Sequence, residues 1–447
     1  MAEIKRILVA NRGEIALRAI RTIKEMGKEA VAIYSTADKE ASYLKFADAA
    51  ICIGRAPSSE SYLNIPSIIA AAEISGCDAI FPGYGFLSEN QHFVEICTHH
   101  GLKFIGPTPE VMVMMSDKSK AKEVMVAANV PVVPGSEGAI QDIKDAAKRA
   151  KEVGYPIILK AAAGGGGRGM RVVEDESYLE NAFLAAESEA VTAFGDGTIY
   201  MEKFIKNPRH IEVQIMADSH GNVIHVGERD CSMQRRHQKL IEESPAIALT
   251  PEVRQKLLDS AVRAAKYIKY EGAGTFEYLL DANLDFYFME MNTRLQVEHT
   301  VSEEVSGLDL IELMIRIAQG ETLPPQESIE LKGHAIECRI TAEDPIKFLP
   351  CPGKITTWVA PGGRWVRLDT HAHANYIVPP TYDSMIGKLI VYGTDRNDAI
   401  RRMYRALSEF EICGIKTTIA FHKKMMQNPD FISNNFDTKY LERYNNG

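Results

Sequence analysis

Residues 156–173 read PIILKAAAGGGGRGMRVV: two short apolar runs, 156–160 and 170–173, on either side of the glycine-rich run 164–169. Glycine lets backbone N–H groups approach a phosphate without side-chain interference, and a nest of such groups binds anions. Gly164, Gly166 and Gly169 formally satisfy G-x-G-x-x-G, but a strand pattern and not a helix follows, so a dinucleotide fingerprint is excluded. No Gly-Lys-Ser/Thr closes the run, which excludes a Walker A loop. The remaining reading is a hairpin tip that folds over a nucleotide's phosphates. A flexible linker would not normally sit between two apolar strands. Lys160 ends the first strand, where it offers a point charge to a phosphate. Lys118, upstream, reads by itself as a snorkelling surface lysine.

Towards the N-terminus, strand and helix alternate. Strand patterns fall at 6–10, 30–34, 50–53, 78–81 and 103–105, and residues 14–26 have apolar residues at helical spacing with Gly27 placed to stop them. This rhythm predicts an α/β fold with a parallel sheet and crossover helices. The turn after the first strand, Asn11-Arg12-Gly13, lacks the three-glycine fingerprint. A helix is expected over about 116–128, and the segment VPVVPG at 130–135 reads as a hinge. Towards the C-terminus a third region opens near Gly333 with the strand-like HAIECRI, and residues 399–410 read as an amphipathic helix.

At 447 residues the chain is too long for one ordinary core. Hydrophobic residues make up 45% and charged residues 25%, the mix of a globular protein. The formal net charge of −9 argues against a general nucleic-acid binder. No stretch of about 18 uninterrupted apolar residues predicts a membrane span. The seven cysteines include no C-x-x-C pair, so a disulfide framework or structural zinc is not expected and a cytoplasmic setting fits.

The chemistry concentrates in 288–298, FMEMNTRLQVE. If a strand persists that far, Glu290, Asn292, Arg294, Gln296 and Glu298 share one face. The preceding strand GTFEYLL (274–280) carries Glu277, and a hairpin would bring it beside Glu290. Two carboxylates and an amide oxygen are hard ligands suited to Mg²⁺ or Mn²⁺ bridging nucleotide phosphates. Beyond the metal, Arg294 offers a grip on an anionic substrate and Glu298 a base. Glu202 and Lys203 interrupt the strand IYMEKFI (199–205), which either presents backbone groups to an adenine edge or carries a solvated pair. ERDCSMQRRHQK (228–239) reads as a dense basic loop, with His237 and Lys239 able to grip an anion. Arg339 shares a strand face with Glu337, and an intrastrand ion pair is its plain reading.

Together these segments resemble biotin carboxylase, an ATP-grasp enzyme, over essentially the full length. The resemblance rests on ANRGEIA (10–16), FPGYGFLSEN (81–90), AAAGGGGRGM (161–170), ERDCSMQRRHQK (228–239), GAGTFEY (272–278), MEMNTRLQVEH (289–299) and PPTYDSMIGKL (379–389). It implies three domains: a Rossmann-like N-terminal domain, 1–114; an ATP-grasp domain, 115–325, with its lid over about 132–204; and a C-terminal biotin carboxylase domain, 334–441. It implies that Lys118, Lys160, Gly164, Gly165, Gly166, Gly167 and Gly169 meet ATP phosphates, that Glu202 and Lys203 form the adenine hinge, and that His210 and Gln234 lie near the ribose or phosphates. His237 and Lys239 then stand by the triphosphate and bicarbonate, and Glu277, Glu290 and Asn292 at the metal. Arg294, Gln296 and Val297 cradle bicarbonate, Glu298 is its base, and Arg339 with Tyr84 handles biotin.

The implied reaction is ATP- and Mg²⁺- or Mn²⁺-dependent carboxylation of biotin by bicarbonate, through carboxyphosphate. The implied partners are a biotin carboxyl carrier protein, separate carboxyltransferase subunits and a second copy in a homodimer. The chain has no lysine in a Met-Lys-Met attachment motif, so biotin is expected on another chain. A bacterial acetyl-CoA carboxylase, in fatty-acid synthesis, is the expected host, with a split pyruvate carboxylase or another acyl-CoA carboxylase as the alternative. One departure stands beside the site: Thr300 follows His299 where the family commonly has proline.

Overall fold

The structure, a computed structural model, describes residues 3–135, 138–161, 170–194 and 196–445. The chain forms two compact units: Met1–Val130, Arg209–Tyr278 and Glu290–Gly447 make the first, Pro131–Pro208 and Leu279–Met289 the second. The expected lid, about 132–204, falls in the second unit. Of the rest of 115–325, residues 115–130, 209–278 and 290–325 share the first unit with the expected N- and C-terminal domains, and Leu279–Met289 belongs to the second.

The first unit begins with a parallel sheet. Its strands β1 (Arg6–Val9), β2 (Glu29–Ser35), β3 (Ala49–Gly54), β4 (Ala79–Phe81) and β5 (Lys103–Phe104) lie in the order β3-β2-β1-β4-β5. The helix Gly13–Glu25 buries Ile15, Ala16, Ala19, Ile20 and Ile23 at helical spacing. Gly27, at φ +70°, ends it in a conformation that glycine alone adopts freely. Strand order reverses between β1 and β4, and open α/β sheets leave a ligand crevice beyond the strand ends at such a point. Asn11, just after β1, stitches this crevice: its Nδ2 donates to the Pro82 and Tyr84 carbonyls, both at 2.8 Å.

The second unit has a small antiparallel sheet of β6 (Ile157–Ala161), β7 (Met170–Val173) and β8 (Ile199–Lys203), ordered β7-β6-β8. Lys160 stands opposite Met170, so the runs flanking the glycines pair as the two arms of a hairpin must. Gly164, Gly165, Gly166, Gly167 and Gly169 lie outside the described residues. The core of this unit joins Ile157, Leu159 and Val173 to Phe183, Ala186 and Ala190 of the helix Leu179–Phe194.

The large sheet contains β9 (Arg209–Ala217), β10 (Val223–Arg235), β11 (Gln238–Ser244), β12 (Gly272–Leu280), β13 (Phe286–Asn292), β14 (His334–Thr341) and the strands Met385–Gly393 and Val366–Asp369. Its order is β13-β12-β9-β10-β11-β14, then Met385–Gly393 and Val366–Asp369. Two sequence expectations need correction here. Residues 228–239 are not a loop: they are the end of β10, a two-residue turn and the start of β11. Residues 226–234 are buried throughout, so their charged side chains find partners inside the protein and not in solvent. Arg236 and His237 form the turn, both at positive φ, the geometry a tight hairpin with right-twisted strands requires. The second correction concerns β13, which ends at Asn292. Residues 293–298 make an irregular turn into the helix His299–Ser306, and the period-two alternation there is not that of a strand.

Candidate active site

Alternation along the large sheet puts polar side chains on one buried face. In β9, His210, Glu212 and Gln214 occupy alternate positions, and all three are buried. Glu277 of β12, Lys239 of β11 and Arg339 of β14 join them through neighbouring strands. Glu298 is the N-cap residue of the helix His299–Ser306 but makes no capping bond with its side chain. Its carboxylate instead accepts from Lys239 Nζ at 2.7 Å and from Arg339 Nη2 at 2.9 Å. Lys239 Nζ also donates to Glu212 and, at 3.1 Å, to Glu277.

The electrostatics follow from burial and these contacts. Burial pushes the Glu298 carboxyl up, but Lys239, Arg339 and Arg229 outweigh it and hold it well below the ordinary carboxylate range. Burial likewise opposes charge on Lys239, yet Glu212, Glu298 and Glu277 hold its pKa well above that of a free lysine. Glu277 is treated as Glu298 is: burial raises it, and Lys239 and His210 bring it far down. His210 Nε2 stands 2.8 Å from Glu277. The site therefore keeps an ionised carboxylate at Glu298 in direct contact with two cations.

Arg229 organises the wall behind it. Fully buried, its guanidinium donates to Gln214 at 2.8 Å, Ser302 at 3.0 Å, Glu212 at 3.1 Å, Thr275 at 3.2 Å and Gln296 at 2.8 Å. Gln296 passes the chain of bonds on, donating to Glu277 at 2.7 Å. Arg294 is held by Glu89 and by the Asn292 amide oxygen, each at 2.8 Å. Arg339 does not pair with Glu337 along its own strand. It donates to Glu242 of the adjacent β11 at 2.6 Å, reaching diagonally to the residue that faces Glu337.

Asn292 Nδ2 donates to Glu277 at 2.7 Å, so two of the three expected metal ligands meet. Glu290 shares the face of Asn292 two residues earlier, and its half-exposed carboxylate lies 3.7 Å from Lys118. Carboxylate and amide oxygens fit a hard divalent ion. Among the described residues, ligand atoms also gather within 4.8 Å at His210, Glu212 and Glu277, and at Glu212, Cys231 and Glu298. Lys239 supplies the positive charge for these oxygens.

The remaining expected residues stand as follows. In the second unit, Lys160 Nζ bonds Glu202, and Lys203 Nζ donates to the carbonyls of Gly154 at 2.8 Å and Tyr155 at 2.9 Å. In the first unit, Gln234 is buried on β10 opposite Lys239, while His237 is exposed at the hairpin turn. A cavity of about 460 Å³ opens at the crevice between β1 and β4, lined by Asn11, Tyr84, Gln238, Val297, Arg339 and Tyr382 among others. The Tyr84 hydroxyl is buried there with no hydrogen-bond partner among the described residues.

Sequence reasoning passed over Glu89, Glu212, Arg229 and Glu242. Glu212 had a signal, the polar alternation His210-Glu212-Gln214 inside an apolar strand. Arg229 and Glu242 were hidden by the reading of 228–239 as a solvated loop and by partners distant in sequence.

The family models that match are "Biotin carboxylase, N-terminal domain" over residues 3–112, "Carbamoyl-phosphate synthase L chain, ATP binding domain" over 117–326 and "Biotin carboxylase C-terminal domain" over 337–443. The chain is 56% identical to a biotin carboxylase of Nostoc over 98% of its own length and 99% of that protein's. A crystal structure of a biotin carboxylase complex with β,γ-ATP from Campylobacter jejuni has 70% sequence identity and a TM-score of 0.91, covering 99% of each chain. The biotin carboxylase domain dimer of the Hydrogenobacter thermophilus 2-oxoglutarate carboxylase, in complex with MgADP, ADP and bicarbonate, is 48% identical with a TM-score of 0.89, covering 99% of this chain and 98% of that one.

Proposed function

The chain belongs to the biotin carboxylase family and is an ATP-dependent ligase of the ATP-grasp type, and from that premise we propose which of its residues carry the reaction. The supporting observation is the Glu298 carboxylate between Lys239 and Arg339. Glu298, held ionised, takes the proton of bicarbonate, which Lys239, Arg294, Gln296 and the backbone at Val297 orient. The bicarbonate oxygen then attacks the γ-phosphorus of ATP, giving carboxyphosphate and ADP. Carboxyphosphate breaks down to carbon dioxide and phosphate, phosphate takes the ureido N–H proton of biotin, and the biotin nitrogen attacks carbon dioxide. Arg339 lies where negative charge develops on the ureido oxygen, and Tyr84 borders the cavity that receives the ring.

Lys118, Lys160, the glycines 164–167 and 169, His210, Gln234 and His237 serve the ATP phosphates and ribose, with Glu202 and Lys203 at the adenine. Glu277, Glu290 and Asn292 would hold Mg²⁺ or Mn²⁺, which supplies charge neutralisation across the triphosphate. The biotin is borne by a carrier protein and passed to carboxyltransferase subunits, in the cytoplasm, by a homodimer. We assign the host as an acetyl-CoA carboxylase of fatty-acid synthesis. The likeness to a 2-oxoglutarate carboxylase domain supports a second reading, the same half-reaction serving a 2-oxo-acid carboxylase.

The test is ADP release with Mg²⁺ and ATP, with and without bicarbonate and free biotin, while label from bicarbonate is followed into carboxybiotin. Bicarbonate-dependent release that rises with biotin, yields labelled carboxybiotin and stops with EDTA is the expected result. ATP turnover without labelled biotin would overturn the choice of acceptor.

A further inference from the structure

Two segments of the sequence, GEIA at 13–16 and MIGKL at 385–389, are given no role above, yet they meet at the cavity between β1 and β4, where Glu14 and Met385 join its lining. Lys388, on the strand Met385–Gly393, is fully buried. It stands opposite Arg339 of β14 in the antiparallel register, so the two side chains rise from the same face of the sheet. Its Nζ donates to the Val297 carbonyl at 2.7 Å and lies 5.9 Å from the centre of the Tyr84 ring. The Glu14 carboxylate, 3.6 Å away, is the nearest ion-pair partner. Glu14 is itself buried, and neither carboxylate oxygen has a hydrogen bond among the described residues.

Val297 belongs to the irregular turn 293–298, which no sheet pairing holds after β13 ends at Asn292. The turn carries Arg294, Gln296 and Glu298. Its ends are tied by Glu89 bonds to the backbone and hydroxyl of Thr293 and by the helix that begins at His299. Between them, the backbone at Val297 is held by Lys388. We propose that Lys388 is a positioning residue: by bonding the Val297 carbonyl it fixes the turn that handles bicarbonate and, through Tyr84, the adjoining wall of the biotin cavity. This rests on the assignment of Arg294, Gln296 and Glu298 to bicarbonate. A displacement of the turn by about 1 Å would misalign the reacting groups, and misplacements of that size cost up to about a hundredfold in rate.

A lysine so deeply buried also balances charge: it opposes the rise that burial imposes on Glu14, whose carboxyl is pushed up to about 7, and it favours the ionised forms of Glu337 and Asp369, so its loss destabilises the fold. The experiment therefore compares Lys388→Met with the double variant Glu14→Gln/Lys388→Met, which removes both charges. Melting temperature is measured alongside KM for bicarbonate, biotin and ATP. The expected result is that the double variant recovers stability while KM for bicarbonate and biotin stays raised about tenfold or more in both variants, and KM for ATP stays within about twofold of the parent. If the double variant recovers stability and the parental KM values together, Lys388 only balances Glu14 and the proposal falls. A parallel rise in KM for ATP, or failure of both variants to fold, also overturns it, because the lysine then supports the fold at large. If the parent protein releases no ADP in response to bicarbonate, the functional assignment fails instead, and the two failures are told apart in one assay.

Discussion

Glu243 shows how a single carboxylate can tie distant parts of the first unit together. Buried at the end of β11, it accepts from Arg396 Nε at 2.6 Å and lies 2.8 Å from His334 Nε2. The same guanidinium reaches the carbonyls of Phe431 at 2.8 Å and Ile432 at 2.9 Å, near the C-terminus. Burial pushes the Glu243 carboxyl up, but Arg396 and His334 outweigh it and bring it from 4.5 down to about 2. A pKa depressed on folding means that the unfolded chain binds the proton more readily. The stabilisation is thus fully present above pH 4.5 and is lost as pH falls towards 2. A depression of this size is worth about 3 kcal/mol at neutral pH. Glu243→Gln should destabilise by that order at pH 7, and melting curves between pH 5 and 3 should show the gap to the parent closing as the pH drops.

Among the elements, the helix His299–Ser306 covers the polar face of the large sheet, and its first turn contains Thr300. The Thr300 hydroxyl donates to Glu337, whose other oxygen is buried without a partner among the described residues. A proline in the first turn of a helix is sterically tolerated and sacrifices no helical hydrogen bond. Thr300→Pro and Thr300→Val should therefore destabilise alike, by about 1–2 kcal/mol in urea unfolding, because each removes the same hydroxyl from a buried acceptor. A much larger loss for proline alone would show that the backbone matters there and not the side chain. The same neighbourhood explains what sequence could reveal. β1 was legible as a continuous apolar run buried on both faces of its sheet, and the helix after it as one periodic apolar stripe. β10 was not: its Glu228, Arg229 and Asp230 look solvated until other elements supply partners, Arg254 to Glu228, Glu212, Gln214 and Gln296 to Arg229, and Arg209 to Asp230. In the turn 293–298 the alternating polar residues do converge on one site, although the turn and not a pleated strand brings them there. Although the expectation put Glu277 beside Glu290 and it is Asn292 that bonds it, Glu277 was legible as a neighbour of β13 because a short hairpin joins the two strands. Glu242 and Arg339, with a long connection between them, were not.

At the scale of the whole molecule the two units differ in what they bury. The second unit rests on a three-stranded sheet whose apolar side is covered by helices, and it leaves Met170, Val172, Tyr178, Leu184 and Val191 exposed. The first has larger apolar clusters together with the ionic face built on Arg229, Lys239 and Lys388. Regions with less buried surface open at lower free energy. Hydrogen exchange of the protein without nucleotide should thus show β6 to β8 exchanging faster than β9 to β11, and equal protection in both would contradict this ranking. The ionic face has a thermal consequence as well. Hydrating apolar groups on unfolding raises heat capacity, whereas hydrating polar groups lowers it. A unit that conceals so many charged and amide groups absorbs less additional heat per degree when it opens than one of equal size with an oily interior. Its free energy of folding therefore bends less with temperature, and cooling weakens it more gently than it would a purely apolar core.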